Sequence, residues 1–123
     1  MKKAFLLLFS AGIMASCNSP KNTFSGRESA SKSPWNKQIE YAGGKGTSYE
    51  DAIIIKNAKN SYDGVPAEYD YLNATLGKRG TDWISLGQSL QHHNNKSFDV
   101  IHVVKQKDTM DVYFDITEFF GKF

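Results

Sequence analysis

The sequence predicts an α+β domain: one helix packed on a small antiparallel sheet, in the order β-α-β-β-β. Three observations carry this. Ala52-Ile53-Ile54-Ile55 is a short β-branched run bounded by polar residues, which reads as a buried strand. Val65, Tyr69, Leu72 and Leu76 recur at four, three and four residues, which makes one apolar helix face. From Trp83 onward the apolar period switches to two.

Taken in order, the first strand leads into Ser61-Tyr62-Asp63-Gly64-Val65-Pro66-Ala67-Glu68, where Ser61 or Asp63 is placed to cap a helix. Pro66 suits a first helical turn, and Gly77 ends the helix as a C′ glycine. In Trp83 to Leu90, Ile84, Leu86 and Leu90 are expected on one face, with Gln88 as the exception. His93-Asn94-Asn95-Lys96 is a polar turn, Phe98 to Val104 is a strand, and a Lys107-Asp108 turn precedes the alternation of Val112, Phe114 and Ile116. Thr117 caps a final short turn, Glu118 to Phe120, closed by Gly121.

These elements place a single folded domain at residues 46–123. A domain of about 80 residues is marginal in core size. Its eleven aromatic residues, among them Tyr49, Trp83, Phe98, Phe114 and Phe119, compensate because large rings bury much apolar area per residue ordered. Residues 18–45 are rich in Ser, Asn, Lys, Gly and Pro without sustained periodicity, so residues 17–45 read as a tether. About 28 flexible residues have a reach of roughly 30 Å. Trp35, Ile39 and Tyr41 are out of character there, either packing on the domain or standing exposed.

Residues 1–16 read as an export signal: Lys2 and Lys3, an apolar run from Ala4 to Ile13, then the small pair Ala15-Ser16. The run is far shorter than the ~20 residues that span a bilayer. Immediately after it stands Cys17, the chain's one cysteine. The stretch "IMASCN" resembles the lipobox of bacterial lipoproteins, with Met14 where Leu is usual. The resemblance implies a diacylglycerol on the Cys17 thiol, cleavage just before it and acylation of the new amino terminus. Two or more acyl chains make such an anchor stable, whereas one does not. Asn18 follows the cysteine in place of the Asp linked to inner-membrane retention, so the resemblance points to the outer membrane.

With Cys17 consumed, disulfides and thiolate chemistry are excluded from the mature chain. The whole chain has 15 Lys and Arg against 13 Asp and Glu; removal of Lys2 and Lys3 leaves it formally neutral. Without a basic stripe, nucleic acid is excluded as a partner. The blocks "GTSYEDAIIIKNA", "GVPAEYDYL" and "DVYFDITEFFGKF" resemble segments of small uncharacterised exported bacterial domains, over about residues 46–123. That resemblance implies relatedness and no activity.

Candidate chemistry is sparse. His92, His93 and His102, with Asp99 as the local carboxylate, would form a metal site only if the hairpin brought them together. Neighbouring strand residues point to opposite faces, so His92 and His93 read better as solvated turn residues and His102 as a hydrogen-bonded ring. Asp111 and Asp115 lie about 13 Å apart along a strand. Glycosidase carboxyl pairs lie within about 10 Å, so these two do not form one. Asp115 is instead expected to accept backbone hydrogen bonds at the Thr117 turn. Glu68 reads as a first-turn acid favoured by the helix dipole. "YAGGKGTS" misses the phosphate-loop spacing and reads as a turn at the domain entrance.

The sequence therefore predicts a membrane-anchored envelope lipoprotein without a cofactor, serving as a non-catalytic binding or structural module for a protein, peptide or glycan. The alternative is a small hydrolase or metal-assisted enzyme using His92, His93, Asp99 or His102. Ile101 and Val103 make the second face of their strand apolar too, and one helix covers one face only. They form a candidate binding patch, to be covered by the Trp35-Ile39-Tyr41 segment, by the Phe119-Phe120-Phe123 tail or by another chain.

Overall fold

The computed structural model describes residues 31–123, so the stretch read as an export signal, Cys17 and the first part of the expected tether lie outside the described residues. The elements are β1 (Ser31–Lys32), β2 (Glu40–Gly43), β3 (Ile53–Lys56), α1 (Ser61–Leu76), β4 (Trp83–His93), β5 (Lys96–Lys105) and β6 (Asp108–Asp115). They form one helix and one six-stranded sheet in the order β1-β2-β3-β6-β5-β4. The α+β class holds.

The finer expectation is corrected twice. Two strands precede the predicted first one, and the sheet is mixed, because β3 pairs with β6 in parallel. The α1 crossover carries the chain three strand positions away, and the β4-β5-β6 meander then folds back to set its last strand beside β3. The sorting follows composition. β5 and β6 have apolar residues to bury on both faces and occupy inner positions, whereas Gly- and Gln-bearing β4 takes the edge.

Helix α1 begins earlier than Pro66 suggests. Asn60 is the N-cap, and its Oδ1 accepts from the Asp63 N–H at 3.1 Å. Pro66 is thus the sixth helical residue, where its missing N–H leaves the Tyr62 carbonyl without its helical donor. Gly77 caps the other end at φ 101°, as expected.

The helix packs on Ile53 and Ile55 of β3, Ile101 and Val103 of β5, and Val112 and Phe114 of β6. Ile101 and Val103 are 0% exposed. They belong to the core beneath the helix, so the proposed surface patch is corrected: nothing can dock there without displacing α1.

Ile39 and Tyr41, in the stretch read as tether, are core residues. Their segment is ordered because β2 pairs with β3 in register Tyr41↔Ile55. The Tyr41 hydroxyl donates to the Ala67 carbonyl at 2.7 Å, tying β2 to the helix, and burial pushes that hydroxyl up to about 12. The folded unit therefore starts upstream of residue 46, while Trp35 stays 77% exposed. In the tail, Phe119 inserts against Gly64, where any Cβ would strike its ring. Phe120 and Phe123 remain exposed.

The β4-β5 ladder slips between Ser85 and Gly87. That bulge breaks the predicted common face: Ile84 pairs with Val104 on the helix-free side, and Leu90 pairs with Asp99 on the helix side. The β4-β5 turn is Asn94-Asn95, both at positive φ (48° and 62°), which suits a two-residue hairpin. The next turn is Gln106-Lys107, one residue earlier than expected.

Candidate functional site

Ser89, His93, His102 and Asp111 gather on the sheet face opposite the helix. Cross-strand pairing fixes which residues stand there: Gly87, His102 and Asp111 in one row, Ser89, Val100 and Tyr113 in the next, then Gln91, Phe98 and Asp115. His93 follows, opposite Lys96.

Part of this face is covered by the 44–52 loop, a role the sequence reading gave to other segments. The glycine-rich stretch is a turn, as expected. Gly46 donates to the Asp51 carbonyl at 2.6 Å, and its own carbonyl accepts from the Tyr113 N–H at 2.8 Å, tying the loop to β6. Asp51 accepts from the Thr47 hydroxyl at 2.8 Å, and that bond holds its carboxyl below the usual carboxylate range. The loop swings Tyr49 over the sheet. Its ring stacks on His93 at 4.3 Å and meets Phe98 and Tyr113 edge-on at 5.0 and 5.1 Å. Beside it opens a groove of about 190 Å³ lined by Tyr49, Glu50, His93, Asn94, Lys96 and Phe98.

The three histidines do not converge. His92 faces the helix side, with Nδ1 3.2 Å from the Ser97 hydroxyl and its ring against Phe120. His93 is held by Tyr49 on the other face, and Asp99 lies buried on the helix side. Among the described residues no group of three His, Cys, Asp or Glu could hold a metal ion. The two-fold alternation of strands is the reason.

His102 does have a catalytic-type setting. Its Nδ1 is bonded to Asp111 Oδ1, its direct cross-strand partner, and its Nε2 lies 3.5 Å from the Ser89 hydroxyl. With the proton on Nδ1 held by Asp111, Nε2 is left as the acceptor for Ser89. Sequence spacing alone does not join His102 and Asp111, nine residues apart on successive strands. A Lys107-Asp108 turn would set Asp111 opposite Val104; the turn lies one residue earlier, which shifts the pairing by two and brings Asp111 to His102.

Asp115 plays the structural part expected of it. Its Oδ1 accepts from the Thr117 N–H at 3.0 Å and the Thr117 hydroxyl at 2.6 Å, and Lys96 stands 3.8 Å away.

Glu68 departs from its prediction. It lies past the first turn and is 0% exposed, and neither carboxyl oxygen has a donor among the described residues. Burial, then the neighbouring Asp99, raises its carboxyl to about 10, so Glu68 carries a proton at neutral pH. The protonated group is itself a donor, directed at Asp99. Asp99 also accepts from Gln88 Nε2 at 3.2 Å, and Gln88 Oε1 accepts from the Tyr69 hydroxyl at 2.8 Å. The signal for this burial was present: Glu68 stands three residues after Val65 and four before Leu72, on the apolar stripe itself.

No family model matches this chain, and neither do curated proteins or solved structures.

Proposed function

We propose that the chain is an exported, lipid-anchored envelope protein that uses the helix-free face of its sheet to bind a glycan. The anchor rests on the lipobox-like "IMASCN", and Asn18 favours the outer membrane. One structural observation supports the binding reading: the Tyr49 groove joins aromatic walls to Glu50, His93, Asn94 and Lys96. A sugar ring has an apolar C–H face and a rim of hydroxyls, and such a groove offers a surface for each. Ile101 and Val103 no longer compete for this role.

Two measurements test the proposal. Cys17→Ser should abolish incorporation of labelled fatty acid and partition into the detergent phase; unchanged labelling would remove the anchor. The full-length protein should co-sediment with purified peptidoglycan sacculi, and Tyr49→Ala should lower that fraction about tenfold. Absence of co-sedimentation by the unaltered protein would remove the glycan reading.

A further inference from the structure

Beyond binding, we propose that Ser89, His102 and Asp111 form a nucleophilic centre that cleaves carboxylic esters of small acyl groups. The connectivity is the one such chemistry requires: hydroxyl to Nε2, and Nδ1 to carboxylate. The three residues come from three adjacent strands, β4, β5 and β6, so rigid ladder pairing and not a loop sets their spacing. The Ser89–His102 separation of 3.5 Å is long for a hydrogen bond, within the looseness such pairs show before substrate binds.

The surroundings suit an ester presented from outside. The His102 and Asp111 side chains are 39% and 44% exposed. Gly87, directly across from His102, has no side chain, and nothing lies within 4 Å of where a Cβ would sit. That space accommodates a small acyl group beside the imidazole. Tyr113, one strand beyond Val100 in the Ser89 row, leads to the Tyr49 cluster, where the alcohol portion can rest. β4 is the terminal strand, so N–H groups on its outer side have no neighbouring strand to bond and are free to donate to a developing oxyanion.

Ser89 Oγ attacks the carbonyl carbon while its proton passes to His102 Nε2. The alcohol leaves with that proton, which leaves an acyl-serine. Water, losing a proton to Nε2, then releases the carboxylic acid and restores the Ser89 hydroxyl. Asp111 orients the ring and stabilises the imidazolium throughout.

The test uses full-length protein in detergent, with a fluorophosphonate as covalent probe and p-nitrophenyl acetate as substrate. The probe should label Ser89, as located by peptide mass. Ser89→Ala, His102→Ala and Asp111→Asn should each lower ester hydrolysis by about 100-fold or more. Absence of labelling, labelling elsewhere, or hydrolysis unchanged in all three folded variants would overturn the proposal. Labelling of the unaltered protein decides the matter even where a variant fails to fold. Sacculus co-sedimentation is a separate readout, so failure of either idea leaves the other standing.

Discussion

The two faces of this sheet are built by different means. On the helix side, Ile53, Ile55, Ile101, Val103, Val112 and Phe114 pack against α1, the β2 segment and Phe119. On the other side no second helix exists among the described residues, and a nine-residue loop covers part of the face with one aromatic ring. The first face gains from contiguous apolar burial, at about 25 cal/mol per Å². The second combines short-range aromatic contacts with polar rows, so it contributes less stability and leaves side chains accessible. Function is expected on the face that the fold can spare.

The sharpest way to break this comparison is to damage each face in turn. Phe114 is 0% exposed on the helix side, so Phe114→Ala should cost about 3–5 kcal/mol in urea unfolding. Should Phe114→Ala prove nearly neutral, the helix-side core is not the main source of stability.

The next effect lies within the helix side, where one buried group opposes the rest. Glu68 has a folded-state value of about 10 against the ordinary 4.5. Below pH 4.5 both folded and unfolded chains hold the proton, and the group's favourable share is complete. As pH rises from 4.5 towards 10 the unfolded chain releases that proton and the folded one keeps it, so stability falls. At pH 7 the loss is of order 3 kcal/mol. Glu68→Gln should therefore stabilise the protein at pH 7–8 by up to ~3 kcal/mol, with the gain vanishing at pH 4. A gain that persists at pH 4 would show that packing, and not ionisation, is responsible.

The smallest of the three effects is expected on the opposite face. Tyr49 makes three aromatic contacts but is only partly buried, so Tyr49→Ala should cost about 1–2 kcal/mol. Calorimetry should show one cooperative transition shifted down by a few degrees. A loss as large as that of Phe114→Ala would make the two faces equals and end the distinction between them.

Much of the architecture was legible because periodicity is local. The helix face Val65-Tyr69-Leu72-Leu76, the Gly77 terminus, the Asn94-Asn95 hairpin and the Asp115–Thr117 turn all lie where the sequence puts them. Ile39 and Tyr41 were visible as anomalies in polar sequence, but their burial depends on β3 offering an edge to pair with. The Ile84/Leu90 assignment failed because a bulge of one residue is invisible to a two-fold pattern. The helix starts earlier than Pro66 suggests, because Asn60 supplies the cap, one residue before Ser61 and three before Asp63.

By itself, then, the sequence determined the class of the domain, its single helix and its Asn94-Asn95 hairpin turn, since each depends on neighbouring residue types. Tertiary structure decided which strands became neighbours, which face the helix covers and which polar residues meet. Ser89, His102 and Asp111 are separated by up to 22 positions along the chain and adjoin only through ladder register. Register is a property of paired strands, in which a slip of one residue turns every side chain to the opposite face.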